Sequence, residues 1–285
     1  MADKITIFEV GARDGLQNEK VMIPTQKKIE LINMLSGCGF NKIETTAFVS
    51  PKWVPQMGDA AEVMAGIERA ANISYAVLTP NMKGYNRAKS ANASEVAIFG
   101  AASEGFSQAN VNCSIAETIE RFLPITKAAS ADGMPVRGYI SCVTDCPYDG
   151  PTPPENVAWM AEQLINAGCY EVSLGDTIGQ GSPETISDML DAVIERVPAS
   201  KLAGHYHDTS GRALSNIEVS IEKGVRTFDS SVGGLGGCPY APGAAGNVAT
   251  QSVMEMVEAK GFETGIDPVK LAAASAFAIG LRSEA

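Results

Sequence analysis

The feature that most constrains the fold is the alternation of short β-branched runs with amphipathic helical stretches along nearly the whole chain. Strands separated by helices need crossover connections, so the alternation predicts a parallel sheet. Eight units within about 250 residues match a closed (β/α)8 TIM barrel, of class α/β, in number and length. The eight strand candidates are residues 5–10, 42–46, 73–78, 95–99, 136–142, 171–174, 201–207 and 227–232.

The stretches between the strand candidates are predicted helices, and one more helix follows the last unit. Ser182 and Pro183 form a typical helix start, and Gly224 is a typical helix end. An open doubly wound sheet is the alternative, but no Gly-x-Gly-x-x-Gly follows the first strand. We therefore expect a single barrel domain over residues 1–285. The predicted helices are residues 24–37, 57–70, 81–91, 114–132, 154–167, 183–197, 211–223 and 247–260, with an extra C-terminal helix at 268–282.

Charge and composition exclude several function classes. There are 22 Lys and Arg against 33 Asp and Glu, a net charge of −11, and no basic run, which argues against nucleic acid as a partner. No stretch of about 18 apolar residues occurs, so no membrane span is predicted. The six cysteines show no disulfide framework or Cys-x-x-Cys pattern, and no leader peptide precedes the first strand. These observations predict a cytoplasmic enzyme.

The chain has only two histidines, His205 and His207, and they stand two residues apart at the end of the seventh strand candidate. Side chains at positions i and i+2 of a strand point to the same face, so the two imidazoles converge. Neutral imidazole is the commonest metal ligand in proteins, whereas an isolated histidine is more often a hydrogen-bonded core residue. Because the entire histidine content is placed this way, we favour a metal site.

Further polar residues fall where the strands end, which is where barrel enzymes gather their catalytic groups. Each alone has an ordinary explanation, such as a surface ion pair or a helix cap, but their joint placement around one rim favours a site. One Asp oxygen and one Asn oxygen beside two histidine nitrogens would leave a divalent ion open to substrate oxygens. The rim residues are Arg13, Asp14, Gln17, Glu44, Asp176 and Asn247.

A glycine-rich segment at residues 233–246 follows the eighth strand candidate and contains Cys238. Walker-A spacing is absent, which disfavours a phosphate-binding loop. A mobile loop that closes over the barrel mouth fits the segment better, and Cys238 would then be partly exposed at the site.

Five motifs make the chain resemble the hydroxymethylglutaryl-CoA lyases, and the match runs from the first strand to the helix after Asn247. The Arg-Asp pair and the His-x-His are shared with a wider superfamily of barrel enzymes that includes isopropylmalate and homocitrate synthases. The Ser-Pro-Lys-Trp-Val-Pro-Gln and Gly-Gly-Cys-Pro-Tyr motifs are more specific to the lyases. The five motifs are RDGLQNEK at 13–20, FVSPKWVPQM at 48–57, SLGDTIG at 173–179, HYHDT at 205–209 and GGLGGCPYA at 233–241.

The resemblance implies a reaction and a metal. The reaction is cleavage of 3-hydroxy-3-methylglutaryl-CoA to acetoacetate and acetyl-CoA, so the expected partner is a CoA thioester. The implied cofactor is one Mg²⁺ or Mn²⁺ ion. Its implied ligands are Asp14, His205, His207 and Asn247.

The resemblance also implies roles for the remaining rim residues. Arg13 would bind the thioester carbonyl, and the Cys238 thiol would take part in proton transfer. Glu44 and Asp176 would help to position the substrate and the residues that surround the metal ligands, and Gln17 would order the rim and contact the substrate. From their chemistry rather than from the resemblance, Asp14 or His207 could accept the proton of the tertiary alcohol, and the choice between them stays open.

Several alternatives remain beside this reading. A lyase for a larger 3-hydroxy-3-alkylglutaryl-CoA fits the same motifs, and so does a condensing synthase, although synthases usually carry an additional C-terminal region. A catalytically silent metal-binding barrel is a further alternative. Only Gln251 supports it, since the family usually has an acidic residue at that position. If that charge matters, Gln251→Glu is expected to raise turnover or tighten metal binding. Pro242 stands where relatives often have a polar or basic residue. The candidate assembly is a homodimer.

Overall fold

The computed structural model describes residues 3–236 and 246–282. Eight parallel strands close into a barrel in which each strand pairs with its neighbours in sequence, and the last strand pairs with the first in a register that joins Thr6 to Thr227. The predicted (β/α)8 barrel is therefore confirmed, and every strand candidate overlaps an observed strand. The strands are β1 (Thr6–Glu9), β2 (Lys42–Ala47), β3 (Ser74–Leu78), β4 (Glu95–Ala101), β5 (Val136–Ser141), β6 (Glu171–Asp176), β7 (Leu202–Tyr206) and β8 (Thr227–Ser230).

Helices follow the strands, and the predicted C-terminal helix is present as the last of them. The predicted start at Ser182 is a capping box, in which the Ser182 side chain and that of Thr185 bond each other's backbone N–H. None of the helices within the described ranges is long and apolar enough to cross a membrane. The helices are α1 (Thr25–Ser36), α2 (Ala60–Gly66), α3 (Met82–Ser90), α4 (Glu104–Val111), α5 (Ile115–Asp132), α6 (Pro154–Asn166), α7 (Pro183–Ile194), α8 (Ala213–Glu222), α9 (Thr250–Ala259) and α10 (Pro268–Gly280).

Two elements in the loops after β4 and β5 are additional to the prediction. One is α4, which ends at Asn112 in a left-handed conformation with φ of 51°. The other is a short antiparallel hairpin that pairs Asp145–Cys146 with Gly150–Pro151. Both elements are too short to give a periodic sequence signal, which is why the alternation pattern does not include them.

Two predicted helix boundaries are wrong. The helix predicted at 57–70 is shorter and consists only of α2. It ends because the backbone becomes extended at Ile67. The Arg69 side chain then donates to the carbonyls of Ala91 and Asn92. The helix predicted from residue 247 begins at Thr250 instead. Asn247 forms an isolated backbone bridge with His207, so it lies in extended chain beside the seventh strand.

The apolar core lies mainly between the barrel and its helices, whereas the barrel interior is strongly polar. Arg137 is fully buried inside the barrel, and its guanidinium lies 4.2 Å from the centre of the Phe8 ring. Buried charges are stable only when they are paired, so this interior must contain matching carboxylates.

Candidate active site

The metal-ligand candidates Asp14, His205 and His207 form one group at the C-terminal end of the barrel. Each offers a ligand atom, and these atoms all lie within 4.8 Å of one another. His205 Nε2 is 3.8 Å from Asp14 Oδ2, and the two imidazole ring centres are 5.4 Å apart. The structure thus confirms that the two histidines face the same point.

A tight turn after β1 brings Asp14 to the histidines. Residues Gly11–Gly15 form a single π-helical turn, in which the N–H groups of Asp14 and Gly15 both bond Val10 O, at 2.8 and 3.3 Å. A Cβ on Gly11 would lie 2.7 Å from a Glu9 carboxylate oxygen, so that position has no room for a side chain. The turn therefore directs two consecutive side chains, Arg13 and Asp14, toward the barrel mouth.

Asn247 belongs to the same group, although it is far from Asp14 in the sequence. Its backbone bridge to His207 fixes its position, and its side-chain Nδ2 donates to Asp14 Oδ2 at 2.8 Å. The amide N also lies 3.4 Å from Leu235 O. All four residues implied as ligands are therefore neighbours.

The donor set fits a divalent ion. His207 Nδ1 is buried and has no hydrogen-bond partner among the described residues. Burial, reinforced by the charge of His205, lowers the pKa of His207 to about 4, so this imidazole is neutral and able to ligate. Burial tends to raise the pKa of Asp14, but Arg13 and the histidines outweigh it and hold that pKa below its usual range. One anionic oxygen beside two imidazoles is a typical site for a borderline divalent cation.

Arg13 is held rigidly beside this group. Its Nε donates to Glu44 Oε2 at 2.7 Å, and its Nη1 donates to Asp14 Oδ1 at 2.6 Å. Burial disfavours the charge, but Glu44 and Asp14 overcome this and raise the pKa of Arg13 above its usual value. Glu44 lies within β2 rather than at its end, and its fully buried carboxylate orients the guanidinium.

The other predicted site residues lie in different surroundings. Asp176 ends β6, and its buried carboxylate accepts hydrogen bonds from Thr144 and from the backbone N–H groups of Gln180 and Gly181 at 2.9–3.2 Å. These bonds organise the β6–α7 loop. Gln17 borders the mouth, and its Oε1 is buried without a partner among the described residues. Cys238 and most of the glycine-rich segment lie outside the described residues.

A cavity of about 830 Å³ opens above the metal-ligand group. Its walls combine the polar rim residues with apolar and aromatic side chains, the composition typical of a site for an organic ligand. A second cavity of about 840 Å³ lies between α2 and α3 and contains none of the predicted site residues. The described residues that line the first cavity include Arg13, Asp14, Gln17, Trp53, Leu78, Asn81, Phe99, Phe106, Asn110, Tyr139, His205, His207 and Asn247.

A charged network that was not predicted from the sequence lies beneath the histidines. His205 Nδ1 lies 3.1 Å from Asp229 Oδ2 in β8, and Arg137 donates to both Asp229 oxygens, at 3.1 and 2.8 Å. Ser173 donates to Asp229 Oδ2 at 2.7 Å, and Glu171 accepts from Arg137 Nε at 2.8 Å. Burial favours a neutral Asp229, but Arg137 and His205 outweigh it and lower its pKa to about 2. A charged residue inside a buried parallel strand is the sequence signal for such a network.

Comparison with known proteins identifies the family. The model of the HMGL-like family matches residues 4–278. The chain is 55% identical to the mitochondrial hydroxymethylglutaryl-CoA lyase of Bos taurus, covering 96% of this chain and 84% of that protein, and 50% identical to the cytoplasmic 3-hydroxy-3-methylglutaryl-CoA lyase of Mus musculus, covering 97% and 81%. The crystal structure of the HMG-CoA lyase from Brucella melitensis is 61% identical, superimposes with a TM-score of 0.98, and covers 99% of this chain and 100% of its own. The chain therefore belongs to the HMGL-like family, the family of the hydroxymethylglutaryl-CoA lyases.

Proposed function

We propose that this protein is a metal-dependent carbon–carbon lyase that cleaves 3-hydroxy-3-methylglutaryl-CoA to acetoacetate and acetyl-CoA. The observation that carries the proposal is the placement of Arg13 directly beside the group formed by Asp14, His205 and His207, at the mouth of one cavity. Membership of the lyase family supplies the reaction, and this geometry supplies the groups that the reaction needs.

The metal in this proposal is Mg²⁺ or Mn²⁺, held by Asp14, His205, His207 and Asn247. Oxygen and imidazole donors suit such ions better than they suit thiophilic metals. When bound, the ion lowers the pKa of a coordinated hydroxyl, which favours loss of the proton from the tertiary alcohol.

Arg13 supplies the positive charge for the second half of the reaction. When the C2–C3 bond breaks, its electrons move to C2 as a thioester enolate, and C3 becomes the ketone carbon of acetoacetate. Glu44 and Asp14 already fix the guanidinium, so it needs no reorganisation when negative charge develops on the thioester oxygen. Its raised pKa keeps the charge in place throughout.

Two proton transfers complete the reaction. Asp14 or His207 accepts the proton of the alcohol in this proposal, because both side chains lie at the candidate metal site, where the alcohol oxygen would bind. A proton must then reach C2 to form the methyl group of acetyl-CoA, and the Cys238 thiol is assigned to this step. Asp176 contributes by ordering the β6–α7 loop beside His207, whose backbone N–H bonds Asp176 O at 3.4 Å.

The remaining predictions accompany this proposal. The cavity accepts a CoA thioester as partner, and nucleic acid is not expected as one in a chain with a net charge of −11. A cytoplasmic location and a homodimer remain predictions, and the relatives include both mitochondrial and cytoplasmic proteins. The side chains at the cavity wall, Leu78, Phe99 and Tyr139, are the candidates that select the size of the 3-alkyl group.

The test is a direct assay of the reaction. Purified protein is incubated with 3-hydroxy-3-methylglutaryl-CoA, and acetoacetate is measured before chelation, after chelation, and after Mg²⁺ or Mn²⁺ is restored. We expect activity that disappears with the chelator and returns with the metal. The 3-ethyl homologue of the substrate is assayed in parallel, and faster cleavage of that homologue would favour the larger substrate.

Two variants separate metal binding from the proton-transfer step. His207→Ala is expected to lose both metal binding and activity, whereas Cys238→Ala is expected to bind metal normally and to lose turnover. Absence of acetoacetate from the metal-loaded protein, or activity that survives complete metal removal, would overturn the proposed function.

A further inference from the structure

We propose that Asp229 is the positioning residue for the metal ligand His205, and that Arg137 clamps Asp229 in place for this purpose. The inference rests on the proposed metal site but not on the lyase reaction. It gives a function to a buried network that none of the predicted site residues explains.

The contact between Asp229 and His205 defines which imidazole nitrogen faces the metal group. Asp229 Oδ2 lies 3.1 Å from His205 Nδ1, and the opposite ring nitrogen, Nε2, points toward Asp14 at 3.8 Å. An ionised carboxylate can only accept a hydrogen bond, so Nδ1 carries the hydrogen. The lone pair of Nε2 is then directed at the ligand group, which is the arrangement that a carboxylate–histidine–metal triad requires.

Asp229 is itself held by its surroundings. It is 2% exposed and lies in β8. Arg137 binds its two oxygens as a bidentate pair, and Ser173 donates to Oδ2. Such a pair fixes the plane of the carboxylate, and with it the direction of the bond to His205.

The two histidines are held in different ways. His205 has a charged partner behind it, whereas His207 Nδ1 has none within the described parts of the chain. His207 takes its position from its backbone instead, through the bridge to Asn247. Loss of the Asp229 carboxylate should therefore release one ligand and leave the other in place.

Glu171 provides a matched control for Asp229. Both carboxylates pair with Arg137 at 2.8 Å, but only Asp229 contacts His205. Removing either charge weakens the pairing of a buried guanidinium, and both changes are expected to lower stability. Only the change at Asp229 should alter the metal site.

The first experiment measures metal affinity rather than activity. Apoprotein of wild type, Asp229→Asn and Glu171→Gln is titrated with Mn²⁺ alone, and the free ion is measured by electron paramagnetic resonance. We expect about 10–100-fold weaker binding for Asp229→Asn, the range typical of lost outer-shell partners, and wild-type affinity for Glu171→Gln. Equal weakening in both variants, or unchanged affinity in Asp229→Asn, would overturn the proposal.

The second experiment needs no variant of Asp229, so it decides the matter even if Asp229→Asn does not fold. The chain has two histidines, so ¹⁵N-histidine labelling gives two ring systems, and His207→Gln assigns them. In metal-free wild type at alkaline pH, we expect His205 to carry its hydrogen on Nδ1 with Nε2 bare. A hydrogen on Nε2 instead would refute the role of Asp229. Neither experiment uses a CoA thioester, so failure here and failure of the lyase reaction are separate results.

Discussion

Arg13 at the barrel mouth and Arg137 in the barrel centre are two versions of one arrangement. Each is a buried arginine paired with two carboxylates, and each guanidinium lies near the Tyr139 ring, at 5.6 and 5.0 Å from its centre. In the sequence only Arg13 stands in a rim motif, whereas Arg137 has no predicted role. The partners are Asp14 and Glu44 for Arg13, and Asp229 and Glu171 for Arg137.

The difference lies in what remains free for a ligand. Arg137 is completely buried and makes four hydrogen bonds, two of them to Asp229. Arg13 borders the cavity above the metal-ligand group. Its Nε and Nη1 donate hydrogen bonds and its Nη2 lies 2.7 Å from Glu44 Oε2, so two of the five N–H groups of its guanidinium are not directed at these carboxylates. Similar ion pairs therefore have different proposed roles. In the proposed function, Arg13 presents its charge to the substrate, whereas the proposed role of Arg137 is to hold Asp229 and, through it, His205 in position.

The largest effect is expected from Arg13→Gln. Loss of a fixed charge at a developing oxyanion typically reduces turnover about 10²–10³-fold or more, because the charge is needed mainly in the transition state. KM should change far less, and Arg13→Lys should not restore the rate, since a lysine cannot reproduce the two-sided contact with Glu44 and Asp14. Steady-state kinetics checks this. Normal turnover with only weaker substrate binding would reduce Arg13 to a positioning role.

Arg137→Met tests the role of the arginine in the barrel centre by its effect on the stability of the protein. It leaves Asp229 and Glu171 without their common cation inside the protein, a change that typically costs about 3–5 kcal/mol. The free energy of unfolding, measured with urea, should fall by that amount. Arg13→Gln is the control and should lose less, because the Asp14 side chain is 21% exposed and can be solvated, and the glutamine amide can still donate a hydrogen bond to the buried Glu44 carboxylate. Equal losses of unfolding free energy in the two variants would show that the two arginines stabilise the protein equally, at the barrel mouth and in its centre.

The fold could be predicted from the sequence because its signal repeats eight times. Each strand–helix unit is local, so errors at single boundaries, such as the helix start misplaced at residue 247, do not change the topology. The His-x-His spacing is equally local, and the structure confirms its geometry. Asp14 could be placed at the rim because it directly follows a strand.

The charged network could not be predicted in the same way. Arg137 and Asp229 are 92 residues apart in sequence, and a single sequence contains nothing that pairs them. Alternation along a parallel strand also fails to distinguish its two buried faces, because both are covered. Asn247 illustrates the same limit, since its position depends on a backbone bridge to His207 and not on helix capping.

Glu9 is a buried carboxylate that has no arginine among its hydrogen-bond partners in the described structure. Glu9→Gln therefore tests how a buried carboxylate behaves when no arginine lowers its pKa. Its hydrogen bonds in the described structure come from Gly11 N, Val232 N and the Thr250 hydroxyl. Burial raises the pKa of Glu9 from 4.5 to about 7. Its contribution to stability is therefore complete below pH 4.5 and is lost as the pH rises through 7, by about 3 kcal/mol.

The Glu9→Gln variant should lack this loss. Between pH 5 and pH 8, the free energy of unfolding should therefore fall by about 2.5 kcal/mol more in wild type than in the variant. Asp229 should contribute no such pH dependence to the free energy of unfolding, because its pKa of about 2 lies outside that range. Parallel pH profiles for wild type and Glu9→Gln would mean that Glu9 is already ionised in the folded protein.

The smallest effect is expected from Gln251→Glu, which introduces the acidic residue that the resemblance to the lyases predicts at this position. The sequence alone leads us to expect faster turnover or tighter metal binding. In the structure, however, the Gln251 side chain is exposed on α9 and donates to Glu255 at 2.8 Å. A glutamate there would face Glu255 one turn away, a like-charge pair that costs about 0.2–0.5 kcal/mol. Its field at the metal group would be screened by solvent, so we now expect turnover and Mn²⁺ affinity to change by about twofold or less. Gln251→Ala separates the lost hydrogen bond from the added charge. A large rate increase specific to Gln251→Glu would show that exposed charges on α9, and not only Arg13 and its buried partners, act on the reaction.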